Sequence, residues 1–112
     1  MTVNDFRSIA LSLPDAVESS HMDHPDFRVR NKIFATLGHP DTTCGMVKLS
    51  PPQQDEFCSE CPEIFEPVKG GWGVGGATTV HLKSATEEIV RRAMILAWKN
   101  AAPKSLAKAF DE

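Results

Sequence analysis

Residues 68–83, VKGGWGVGGATTVHLK, contain Gly71, Gly73 and Gly76 in the spacing G-x-G-x-x-G that marks a dinucleotide-binding turn. That fingerprint works only where the glycines end a strand and open a helix whose N-terminus meets a pyrophosphate. Here they run into Ala77-Thr78-Thr79-Val80, poor helix material but good strand material, and no βα unit precedes them. The stretch therefore predicts a strand, with Thr78, Val80 and Leu82 on one face and Thr79, His81 and Lys83 on the other. Before it, GGWGVGG predicts a flexible hairpin tip, because glycine tolerates backbone conformations that other residues avoid. Trp72 in that tip either folds back onto the core or stands out as a contact residue.

Working outward toward the N-terminus, Ser50-Pro51-Pro52-Gln53 places a hydroxyl at an N-cap, proline at the first helical position and glutamine three residues after the cap. A helix over 51–61 is expected. Before it, CGMVKL predicts a strand in which Val47 and Leu49 oppose Met46 and Lys48. Earlier still, Phe27 and Val29 alternate with Arg28 and Arg30, Asn31 supplies a turn, and KIFATL continues, so a hairpin turning near Arg30 to Lys32 is expected. Val3, Phe6, Ile9, Ala10 and Leu13 recur at helical spacing until Pro14, predicting a helix over 3–13.

Toward the C-terminus, Ser84-x-x-Glu87 has the form of a second capping box. Ile89, Val90, Ala93, Met94, Ala97 and Trp98 then make a broad apolar stripe, predicting a helix over 86–101, and SLAKAF suits one further turn. The sum is a single α+β domain spanning 1–112, an antiparallel sheet built from hairpins with helices packed on one face. At 112 residues the chain is the size of one hydrophobic core, and 41% hydrophobic with 24% charged residues is the balance of a globular protein. No apolar run reaches the roughly 18 residues of a membrane span, so no membrane partner is expected. MTVNDFRSIA carries neither a basic leader nor an apolar signal core, which gives the expectation of a cytoplasmic protein.

Chemistry-bearing patterns resolve mostly into structure. Cys58-Ser59-Glu60-Cys61 is a C-x-x-C, but it falls at a helix C-terminus among Asp55, Glu56, Glu60 and Glu63, surroundings that disfavour a thiolate. Free thiols packed in the core are expected of it, with no disulfide. In HMDHPD, His21 and His24 lie beside Asp23 and Asp26, yet Pro25 prevents the i, i+4 geometry of a helical metal site, so a turn into the hairpin is expected and no metal. No catalytic motif stands out, so no enzyme activity and no cofactor are expected.

One pattern survives. Residues 27–37, 43–49 and 68–83 carry Arg28, Arg30, Lys32, Lys48, Lys69 and Lys83 without a single acid, a charge of +6 against −9 for the remainder. Strand alternation would place Arg28, Arg30, Lys48, His81 and Lys83 on the sheet face away from the helices. Such a face suits an anionic partner, or simply a solvated sheet whose charges discourage edge-to-edge pairing.

HPDFRVRNKIFATL, GMVKLSPPQQ, PVKGGWGVGGATTVHL and AWKNAAPKSL, in that order, resemble successive motifs of the MmcQ/YjbR family over about Asp5 to Leu106. The resemblance implies a CyaY-like α+β fold and a DNA-binding "double wing", with the first wing at Arg28 to Lys32 and the second at Lys69 to Gly76. It brings no catalytic residues. Asn31 stands where the family usually has glycine, and Gly75 where a bulkier or charged residue is usual. Taken together, the expectation is a non-enzymatic DNA-binding module that meets phosphates through Arg28, Arg30, Lys32, Lys48, Lys69 and Lys83, with Trp72 beside them. The alternative is a protein-interaction or small-ligand module using the same sheet and Trp72.

Overall fold

The computed structural model describes residues 1–111. Helix α1, Val3–Leu11, begins at Thr2, whose hydroxyl accepts from the Asp5 N–H while the Asp5 carboxylate accepts from the Thr2 N–H, a reciprocal cap that holds the first turn. Strands β1, Ala16–His21, and β2, His24–Val29, are joined through Met22 and Asp23. Strands β2 and β3, Lys32–Leu37, are joined through Arg30 and Asn31. All four linking residues have positive φ, between 49° and 70°. This is the backbone of the two-residue turn that matches the natural strand twist.

Strand β4, Cys44–Lys48, leads into α2, Pro51–Glu60. Ser50 caps α2 reciprocally with Gln53, as the Ser-Pro-Pro-Gln pattern predicts. Then follow β5, Phe65–Pro67; the single turn α3, Gly71–Val74; β6, Ala77–His81; α4, Glu87–Ala101; and α5, Lys104–Phe110. The strands form one antiparallel sheet in the order β1-β2-β3-β4-β6-β5. The α+β class and the helix-covered sheet expected from the hairpin and helix patterns are what the chain adopts. No helix among the described residues is long and apolar enough to cross a membrane.

The covered face is built from Phe27, Ala35, Val47, Val80 and Phe65, all buried. Against it lie Phe6 of α1, Phe57 of α2 and the Val90–Met94–Trp98 stripe of α4. Gly45 belongs here because a side chain at that point of β4 would meet the Phe6 ring. Trp98 is fully buried and its indole N–H donates to the Pro14 carbonyl at 3.0 Å, tying α4 to the link between α1 and β1. A deeply buried aromatic also satisfies its one polar atom this way.

Several local readings are corrected. The glycine stretch is a helical turn and no flexible tip. A Cβ at Gly73 would overlap the Val68 carbonyl, and Gly76, at φ 112°, lies against the Leu49 carbonyl. The buried Gln54 amide donates to both the Gly73 and Ala77 carbonyls at 2.9 Å, which pins the turn to α2. Close backbone packing therefore accounts for Gly73 and Gly76 of the G-x-G-x-x-G spacing, whereas Gly71 has open space around it. Ser84 does not cap α4; Thr86 occupies the N-cap position without a side-chain bond. Strands β1 and β5 have no clear sequence signature because both are sheet edges, one with no buried residue and the other three residues long with Pro67.

Candidate functional site

The second sheet face lies opposite α1, α2 and α4, which pack on the first. Cross-strand register lines up Asp26, Thr36, Met46 and Thr79 on it, one from each of four neighbouring strands. Thr36 and Met46 line a cavity of about 290 Å³. One wall comes from the β1–β2 tip, where positive φ at Met22 and Asp23 brings His21 and His24 close together with Met22 at the rim. The opposite wall is Val68 and Trp72, held there by the pinned α3 turn. Met22 and Trp72 are the unusual members, 88% and 69% exposed although both are large and apolar. His39, from the β3–β4 loop, completes the cavity, its ring edge-on to His24 at 6.2 Å.

Beneath His21 sits the most elaborate polar contact of this face. Asp26 is fully buried and accepts from Arg28 through both oxygens, at 2.8 and 3.0 Å, while Oδ2 also bonds His21 Nδ1 at 2.7 Å. The Arg28 guanidinium, with His21 assisting, holds the Asp26 carboxyl below the usual carboxylate range even though burial pulls it the other way. A carboxylate at that position can only accept, so His21 Nδ1 carries the proton. Among the described residues, no group of three His, Cys, Asp or Glu is arranged to hold a metal ion.

The residues expected to form one basic face are brought together only in part. Arg28 is paired with Asp26, which lies one residue outside the acid-free window. Arg30 is paired with Asp15 at 2.8 Å, across the gap between the β2–β3 turn and the residue before β1. His81, expected on the same face, bonds Glu66 at 2.6 Å. Lys48 lies opposite Ala77, whereas Lys83 follows His81 at the far end of β6, a strand of roughly 13 Å at the usual rise per residue. What the fold gathers is a smaller set: Lys32 and Lys48 flank one groove of about 460 Å³ beside α4, and Lys69 precedes α3 at the same end of the sheet. Trp72 and Lys48 share the adjoining groove.

A family model described as YjbR matches residues 11–100. The chain belongs to the YjbR family. Among solved structures, it is similar to the Deinococcus radiodurans protein DR2400, a crystal structure described as a DUF419 domain, with a TM-score of 0.71. That match is 21% identical and covers 98% of this chain and 88% of the other, a likeness of fold alone. No curated protein matches the chain.

In this YjbR-family chain one further row of side chains has no signature in the sequence. Cys44 and His81 are 37 positions apart but directly paired between β4 and β6, with Sγ 3.6 Å from His81 Nδ1 and Glu66 on the other ring nitrogen. The order is thiol, imidazole, carboxylate. The thiol, however, is buried, and burial pushes it above the ordinary cysteine range, with Asp41 and Glu66 pushing the same way. Cys58 and Cys61 are half-buried against the core, and all three cysteines are free. Burial, with Asp55 and Glu66, also raises Cys58. The sequence clues to this cavity were Trp72 and the pair of histidines in HMDHPD, while Met46 and Thr36, from two other parts of the chain, carried none.

Proposed function

We propose that this YjbR-family protein is a non-enzymatic module that binds a small, largely apolar ligand in the cavity between the β1–β2 tip and Trp72. The observation that carries the reading is the exposure of Met22 and Trp72 at the rim of a 290 Å³ apolar hollow on the sheet face opposite α1, α2 and α4. Small-molecule sites are concave, mainly apolar and furnished with a few fixed polar groups. Here those groups are the Thr36 hydroxyl and the imidazoles, with His21 oriented by Asp26. Thioethers adapt to varied apolar shapes, and an exposed indole offers a flat stacking surface.

The test is a fragment screen read through methyl-labelled methionine. Binding in the cavity shifts the Met22 and Met46 methyls and leaves Met94, on the buried face of α4, unmoved. A screen whose hits move Met94 as much as Met46, or move none, removes this reading.

The grouping of Lys32, Lys48 and Lys69 at one end of the sheet supports a second reading, DNA contact through phosphates at that end. It requires fewer contacts than six basic residues would give, because Arg28 and Arg30 are already matched by carboxylates.

A further inference from the structure

Resting on the ligand-cavity reading, the geometry points to a specific ligand class: an uncharged, flat bicyclic aromatic that carries a ring N–H or an O–H and donates it to His21 Nε2. The first ground is charge. Among the described residues, no lysine, arginine, aspartate or glutamate lines the cavity. Asp26, the register partner of the lining Thr36, is matched by Arg28 in a two-point pair. A charged ligand would leave water without a counter-charge to meet, at a cost that burial makes large.

The second ground is shape. About 290 Å³ is at the small end of ligand sites. The Trp72 indole on one side and the Met22 and Met46 thioethers on the others are surfaces that favour a flat, polarisable ring.

The third ground is hydrogen-bond direction. His21 Nδ1 donates to Asp26, so the neutral ring retains only a lone pair, at Nε2, and Nε2 has no partner among the described residues. A site built around a fixed acceptor discriminates strongly against a ligand lacking the matching donor. His21 is thus the specificity-determining residue, and Asp26 is a positioning residue that sets its tautomer.

Indole and 1-methylindole test the inference, because they share a ring system and differ in the N–H. Both are titrated into the full chain at pH 8, where imidazole itself is neutral, and followed by the Met22, Met46 and Met94 methyl signals. Indole is expected to bind at least about tenfold more tightly than 1-methylindole, the scale of one hydrogen bond to an otherwise unpaired acceptor. In the His21→Phe variant, both should still shift Met22 and Met46, with the preference gone. Equal affinity of the two probes for the unaltered chain overturns the donor inference while leaving the cavity reading intact. Failure of both probes to move Met22 and Met46 overturns the inference and the cavity reading together. Retention of the preference in His21→Phe overturns the role of His21, and an unchanged Met94 signal confirms that the variant is folded.

Discussion

Asp26 and Arg28, two residues apart on β2, form a two-point ion pair in which the carboxylate is wholly buried and the guanidinium keeps partial exposure. A pair of this kind contributes little net stability when intact, but removing one partner leaves the other desolvated and unmatched. It also withdraws Arg28 from service as a phosphate contact.

The pair makes stability depend on acid. Because Asp26 has a lowered folded-state pKa, its contribution is fully present above the unfolded value near 3.9 and is lost as pH falls through the folded value. Asp26→Asn should cost about 2 kcal/mol at pH 7 by denaturant unfolding. The loss relative to the unaltered chain should shrink as both are titrated from pH 4 toward pH 2. A constant difference across that range would mean that the carboxylate's charge is not what matters.

The glycines of the G-x-G-x-x-G stretch should separate by packing. Gly76→Ala forces a side chain into positive φ and against the Leu49 carbonyl, and should destabilise by more than about 2 kcal/mol. Gly71→Ala, with open space around it and negative φ inside a helical turn, should lie within about 0.5 kcal/mol of the parent. Thermal unfolding of the two variants measures the contrast, and similar losses would contradict the pinned turn.

The two tryptophans should divide stability from binding. Trp98→Ala removes a fully buried ring and its bond to Pro14 and should cost about 3–5 kcal/mol. Trp72→Ala should change stability by less than about 0.5 kcal/mol yet abolish the Met22 and Met46 shifts caused by indole. Unfolding curves read the first effect and methyl spectra the second.

For DNA, three lysines predict a slope of log K against log salt of roughly −3. Lys32→Glu with Lys48→Glu should abolish low-salt binding to duplex, while Arg91→Glu with Arg92→Glu, on α4, should leave it nearly unchanged. Equal losses would indicate a long-range field effect without a defined contact. Absence of binding by the unaltered chain at low salt would remove the phosphate reading.

What the sequence by itself determined was local. Ser50-Pro51-Pro52-Gln53 caps its helix by bonds within four residues, Arg30-Asn31 makes its own turn, and the 89–98 stripe has one buried face whichever partner it meets. Those signals are written in spacing because the interactions behind them span a few residues. The edge strands β1 and β5 carry no such mark, since an edge buries too little to impose alternation. Which charges remain free was decided only by the tertiary structure. Along the chain Arg30 lies fifteen residues from Asp15, and only the pairing of β1 with β2 brings them within hydrogen-bonding distance. The cavity is likewise a product of register: Met46, Thr36 and Trp72 reach it from β4, β3 and α3, and a one-residue slip of any strand would turn its side chain to the opposite face.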